Sequence, residues 1–453
     1  MKKRIHFIGI GGVSMSGLAE ILHEQGYIVS GSDRSESNIT SHLEELGICV
    51  FIGHKKENIT ADIDTVVYNA AIKADNPERV VAKEKSIHLI DRAELLGQIM
   101  KNYQYPISIA GTHGKTSTTS MISEIFLNAD KDPTISVGGF LPSIGGNFKM
   151  GHSEYFIVES CEYWDSFLQF YPHIAVILNI ELDHVDYFKD YKQLLLSFRK
   201  FSENIGENGT VIICGEIKNL DYITENLKCN ILTYGYEGCD CYAKNISFHT
   251  NGCPSYDLYF HGKFVQRITL SVFGEHNVLN SLASFCVACL SDISIQQIAD
   301  GLKSYSGVDR RFQLKGSFNE VTVVDDYAHH PTEIKVTLKA ARSRECHEIW
   351  CVFQPHTYSR TEGFFEEFAK SFDDCDYLIL VDIYAARETN NKNIHAKDLA
   401  NKIAKSGKKV FYFDSFAKTE KFLIDNCVPN DLLITMGAGD VYLIGEHIVT
   451  KNL

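Results

Sequence analysis

The stretch AGTHGKTSTTS, Ala110 to Ser120, follows the apolar run YPISI and leads into the helix-like MISEIFLNA. A glycine-containing turn between a strand and a helix is a setting in which main chain wraps phosphate. Backbone N–H groups at the helix start point outward, the helix dipole adds positive potential, and glycine lets phosphate oxygens approach closely. Gly111, Thr112, His113, Gly114, Lys115, Thr116 and Ser117 are therefore expected to cradle nucleotide phosphates. Lys115 would neutralise β/γ charge and the Thr116 hydroxyl would face Mg2+. The loop is two residues shorter than the common G-x-x-x-x-G-K-[ST] form. Glu159, directly after the apolar Phe156-Ile157-Val158, stands where a metal-binding carboxylate is expected, and His184, after AVILNI, is a second candidate. A metal held by Thr116, Glu159 and His184 suits phosphoryl transfer, where catalysis is mostly positioning and charge stabilisation.

Other clusters offer binding rather than bond-making chemistry. FIGIGGVSMSGLAE also runs from a strand into a helix, so Gly9, Gly11 and Gly12 can bring N–H groups against a pyrophosphate. Asp33 ends the next strand, where a dinucleotide enzyme would hold ribose; Ser14 replaces the third glycine of that fingerprint, and the residues alone leave NAD and UDP as even alternatives. His276 and Asn280 are spaced i and i+4 on one helix face, where capping or packing is the default. Arg310, in GVDRRF, is either a surface ion-pair partner or a forked donor that reaches phosphate when domains close. In DDYAHHPTE the adjacent His329 and His330 point apart, which disfavours a two-histidine metal site.

Three series of elements must position these groups. Residues 1–98 alternate apolar strands (RIHFIGI, YIVSGSD, DTVVYNAAI) with amphipathic helices, which predicts a Rossmann-like α/β unit. Residues 99–307 repeat the alternation around the phosphate loop, as in a P-loop ATPase, then turn into two alternating runs joined at His261-Gly262, read as a hairpin. Residues 308–453 form a third, smaller Rossmann-like α/β series from NEVTVVDDYAHH to DLLITMGAGD.

Composition narrows the class. The 453 residues carry a net charge of -14, which repels polyanions and argues against nucleic acid as partner. The 13 cysteines are scattered; the C-x-x-C of Cys286 and Cys289 lies in an apolar helix-like run and reads as core thiols in a reducing compartment. The N-terminus reads as a strand, and no apolar run reaches the ~20 residues of a spanning helix, so a cytoplasmic protein without membrane insertion is expected.

The ordered blocks GTHGKT, SCEYWDSFLQFYPHIAVILNIELDHVDYF, FGEHNVLNSLAS, GVDRRFQLKG, VVDDYAHHPTEI, FQPHTYSRT and MGAGD resemble the ATP-dependent Mur ligases of bacterial cell-wall synthesis. Jointly they look most like the member that adds the first amino acid. The resemblance implies ATP and Mg2+ as cofactors, and UDP-N-acetylmuramate and L-alanine as substrates. It places the UDP moiety at Gly9, Gly11, Gly12, Ser14 and Asp33, and the ribose and adenine of ATP at His276 and Asn280, with Arg310 on phosphate. Tyr327, His356 and Arg360 would hold the amino acid, and Lys115, Glu159, His184 and Arg360 would serve catalysis; Thr357 stands where many relatives have arginine. Within the family, a ligase that reattaches a whole tripeptide is the alternative, disfavoured by the compact YWDSFLQFYPHIAVILNI. A nucleotide-binding switch leaves the third-domain blocks unexplained, and an NAD oxidoreductase leaves the phosphate loop unexplained. The chain is expected as a monomer or homodimer, and sequence assigns no general base.

Overall fold

The computed structural model describes residues 3–250, 252–386, 388–390 and 394–451. Among them, three sheets stand one per sequence series. The first is wholly parallel, in the order Cys49–Ile52, Ile28–Asp33, Arg4–Ile8, Thr65–Tyr68, His88–Asp91. The order reverses beside Arg4–Ile8, and ligands of such sheets sit outside the strand C-termini at that reversal. Gly9, Gly11 and Gly12 follow this strand directly.

The central sheet has ten strands. Its middle is parallel: Tyr105–Ala110 lies between Tyr155–Glu159 and Ile174–Ile177, so the loop after the first and Glu159 at the end of the second share one rim. The strand Cys241–Phe248 begins an antiparallel extension with Pro254–Phe260 and Lys263–Thr269. The expected hairpin is present, its turn made by His261 (φ 47°) and Gly262 (φ 75°). Cys286 is fully buried on the helix His276–Leu290, as expected of a core thiol. The third sheet is parallel except for its edge strand Gln313–Phe318.

The expected break after residue 98 falls inside the helix Arg92–Met100, and the next strand starts at Tyr105. That helix packs closely on the central domain. A Cβ on Gly97 would stand 2.0 Å from the carbonyl oxygen of Gln169. Gly97→Ala is expected to lower stability by about 1–3 kcal/mol through backbone displacement, read as a lower urea midpoint; an unchanged midpoint would contradict the tight junction. One buried apolar cluster runs from Ile5 and Phe7 through Leu96 into Ile107, Phe126 and Phe285, joining the first two domains. The third keeps its own clusters on the two faces of its sheet, around Phe353 and Ile444. Among the described residues no helix is long and apolar enough to cross a membrane.

Candidate active site

The loop after Tyr105–Ala110 has the backbone its sequence requires. Gly111 (φ 143°) and Gly114 (φ 82°) occupy conformations that other residues rarely adopt. A Cβ on Gly111 would meet Leu178 at 2.9 Å, and one on Gly114 would meet Asn280 Oδ1 at 2.9 Å. The helix Lys115–Asn128 starts at once, so its free N–H groups face the loop opening. Lys115 Nζ donates to the carbonyls of Gly111 and Thr112 and lies 3.0 Å from Glu162 Oε2. Burial opposes the lysine's charge, but the buried Glu162 beside it outweighs that and raises its pKa. The Thr116 hydroxyl donates to Glu159, 2.9 and 3.1 Å from its two oxygens, and Gly138 N–H also donates to Glu159 at 2.8 Å. A hydroxyl and a carboxylate converging beside a phosphate loop are the hard oxygen donors that Mg2+ prefers.

His184 stands on the far side of Lys115. Its ring stacks on Tyr163 at 4.3 Å, and its Nε2 lies 3.9 Å from Glu162 and 4.0 Å from Asp183. Burial lowers its pKa, leaving a neutral imidazole able to donate a lone pair to a cation. Asp183 also receives the fork of Arg360, through Nε at 3.1 Å and an Nη at 3.1 Å on its two oxygens. Burial would raise the Asp183 pKa, but the guanidinium overrides this and holds it well below the usual carboxylate range. Arg360 reaches His356 Nδ1 at 3.1 Å. Thr357 (φ 64°) caps the helix Tyr358–Gly363 that carries Arg360, its hydroxyl oxygen accepting from Arg360 N–H at 3.4 Å.

A cavity of about 820 Å³ opens between the central and third domains, walled in part by Gly114, His276, Asn277, Asn280, Arg311 and Asp326. His276 and Asn280, which sequence spacing alone reads as packing, face this space. Nδ1 of His276 is buried without a hydrogen-bond partner among the described residues, which fits a nucleotide hydroxyl or ring nitrogen. Burial drops the His276 pKa to about 4, so it is neutral. Arg310, expected on phosphate, is engaged within the third domain in this structure. Its Nε binds Asp325 at 2.9 Å and an Nη binds the Gly437 carbonyl at 2.6 Å, turning it into the third domain; Arg311 lines the cavity instead. In the first domain, Asp33 uses both oxygens on main-chain N–H groups, Gly11 at 2.9 Å and Arg34 at 2.7 Å, so here it shapes the glycine loop. Ser14 accepts from Arg92 at 2.9 Å.

Residues 4–104, 109–288 and 310–439 match in order the families described as Mur ligase family, catalytic domain; Mur ligase middle domain; and Mur ligase, glutamate ligase domain. The chain belongs to the Mur ligase family. This Mur ligase is 51% identical over 458 residues to the UDP-N-acetylmuramate–L-alanine ligase of Lachnoclostridium phytofermentans, covering 99% of this chain and 98% of that protein. It is 51% identical to the protein of the same name from Acetivibrio thermocellus, over 98% of this chain and 95% of the other. Its structure resembles the crystal structure of the UDP-N-acetylmuramate–alanine ligase of Thermotoga maritima, with a TM-score of 0.82 and 27% identity over 99% and 98% of the two chains.

What sequence reasoning missed in this Mur ligase lies mostly at the seam between domains. Glu162, three residues past Glu159, counters Lys115; Asn277, Arg311 and Asp326 wall the cavity. Burial raises the Asp326 pKa to about 6. His113, from the phosphate loop, stands between Glu181 of the central domain (3.6 Å) and Glu333 of the third (3.2 Å). His330 stacks against it at 4.7 Å but engages both its own nitrogens, with Thr332 N–H and near the Leu182 carbonyl, so this cluster reads as a charged seam rather than a metal site. Burial opposes the His113 charge, yet Glu181 and Glu333 outweigh it and raise the pKa to about 9. A histidine held above its unfolded value stabilises fully below about pH 6.5, and that contribution disappears as pH rises through about 9. His113→Gln is therefore expected to be less stable than wild type by on the order of 2 kcal/mol near pH 6, with the gap closing toward pH 9.5 in urea titrations. A gap that does not change with pH would sink this assignment.

Proposed function

We propose that this Mur ligase joins L-alanine to the lactyl carboxylate of UDP-N-acetylmuramate with conversion of ATP to ADP and phosphate. That makes it an acid–amino-acid ligase of cytoplasmic peptidoglycan precursor synthesis. The observation that carries this reading is Asp183. It accepts the main-chain N–H of His184 at 2.7 Å and the Arg360 fork, with the His184 ring 4.0 Å away, which supports a phosphoryl-transfer centre beside a guanidinium suited to a carboxylate. A switch protein has no use for that junction.

The chemistry follows from the groups in place. A carboxylate does not react with an amine because its oxygen is a poor leaving group; transfer of the γ-phosphoryl group to it makes an acyl phosphate, whose phosphate departs easily. Lys115 and Arg311 balance the charge that develops on the transferring phosphoryl oxygens. Thr116, Glu159 and His184 would hold Mg2+, which draws phosphate charge away from the attacking carboxylate. Gly9, Gly11, Gly12 and Ser14 would face the UDP moiety, with Asp33 fixing their loop. His276 and Asn280 would contact the ribose and adenine of ATP. Arg360, with Tyr327 and His356 nearby, would pair with the carboxylate of the amino acid. Closure along the seam of polar contacts would keep water from hydrolysing an acyl phosphate.

The test is phosphate release from ATP and Mg2+ with UDP-N-acetylmuramate and each of L-alanine, glycine, L-serine and an alanyl-glutamyl-diamino-acid tripeptide. Release requiring both the nucleotide sugar and L-alanine is expected. Release with the tripeptide alone would move the protein to the recycling reaction, and no release with any pair would end the ligase reading.

A further inference from the structure

The adjacent histidines of DDYAHHPTE have different surroundings. His330 caps the helix Pro331–Arg342 and is occupied at both nitrogens. The His329 ring lies 5.3 Å from Tyr327 and 5.9 Å from His356, centre to centre, among the residues given above to the incoming amino acid. Its Nδ1 is 2.9 Å from the Tyr327 carbonyl oxygen and 3.4 Å from Glu333 Oε2. Both neighbours only accept, so Nδ1 carries the hydrogen and Nε2 carries the lone pair. Nε2 has no protein partner among the described residues, and 17% of the side chain remains exposed. Glu333 is itself fixed by the N–H groups of His329 and His330, at 3.1 and 3.3 Å. An imidazole whose tautomer is set by an anchored carboxylate and a carbonyl, with its other nitrogen open, is the arrangement of a general base. Burial lowers its pKa to about 3, so the resting ring is neutral and able to accept a proton.

We propose that His329 is a catalytic residue whose Nε2 takes the proton from the attacking nitrogen and hands it to the departing phosphate. The step rests on the proposed function. The free amine of alanine attacks the acyl carbon, forming the C–N bond while the carbonyl electrons move onto oxygen; the nitrogen is now positive with two hydrogens. His329 removes one of them. The oxyanion then re-forms the C=O bond, the C–O bond to phosphate breaks, and the leaving phosphate takes the proton back from the imidazolium, ending as hydrogen phosphate. The ammonium proton of alanine goes to solvent before attack, and no oxidant is required.

His329→Asn keeps an N–H for the Tyr327 carbonyl and removes the base. The variant and wild type are compared for alanine ligation and for capture of the acyl phosphate by hydroxylamine, a small nucleophile that can lose its proton to buffer. Expected is a fall of about 10²–10⁴ in kcat for alanine, with KM for alanine within a few-fold and hydroxamate formation close to wild type. Unchanged alanine ligation overturns the proposal, as does an equal loss of hydroxamate, which would mark a structural role. A wild-type protein that forms no hydroxamate from UDP-N-acetylmuramate and ATP overturns the proposed function, and this step with it.

Discussion

Replacing Lys115 with methionine is expected to lower ATP turnover by about 10³-fold or more and to destabilise the protein by about 3–5 kcal/mol, two losses with separate causes. The catalytic loss comes from removing the charge that faces the phosphoryl group inside a closed site. The stability loss comes from Glu162, whose side chain is 1% exposed and would be left as a buried carboxylate without its cation. Adding Glu162→Gln to Lys115→Met removes the stranded charge. The double variant should therefore recover most of the urea midpoint and none of the turnover. Were turnover to return with stability, the lysine's role would be structural alone.

Arg360→Ala is expected to reduce kcat/KM for the amino acid by about 10- to 100-fold, with the larger change in KM, because a charge-assisted bond to a carboxylate contributes about 1.5–3 kcal/mol. KM for ATP should move little. Arg360→Lys should recover only part of the loss, since an ammonium cannot make the two parallel bonds. The same change strands Asp183, whose side chain is 8% exposed, and loosens the contact between the second and third domains. The Asp183 pKa is depressed, so its contribution to stability is present above the unfolded carboxylate value, near pH 4, and is lost only as pH falls below it. Weak discrimination between wild type and Arg360→Ala in titrations of the amino acid would remove Arg360 from the substrate site.

The parts that were legible in the sequence are those whose chemistry is local. The phosphate loop, its left-handed glycines and the helix behind it occupy consecutive residues, so composition and order were enough. Glu159 was legible because it ends an apolar strand that aligns with the loop strand. The hairpin at His261 and Gly262 announced itself through alternation and turn residues. By contrast, the strand Cys241–Phe248 mixes lysine and asparagine into its alternation and bulges between Lys244 and Ser247, which hid its period. Arg310 and Arg311 are neighbours with equal chemistry; that Arg311 rather than Arg310 lines the cavity goes with the left-handed backbone at Arg310 (φ 62°), and that is not written in side-chain type. His113, Glu181 and Glu333 are pairs made across a domain boundary. Nothing in a run of residues shows a partner 220 positions away, the separation of His113 and Glu333.

The division of the apolar core has a thermodynamic consequence for closure. The first two domains share one hydrophobic cluster while the third keeps its own, and the contacts that join the third to them include the polar Arg360–Asp183, His113–Glu333 and Thr332–Glu181 beside Phe273 on Phe312 and Val185 on Gly363. A junction that rests on charged pairs separates with a smaller heat-capacity change than one that rests on apolar area. These pairs are nearly buried, Arg360 and Asp183 at 9% and 8% exposure and His113 and Glu333 at 13% and 12%, so salt screens them weakly and protonation is the stronger lever on the junction.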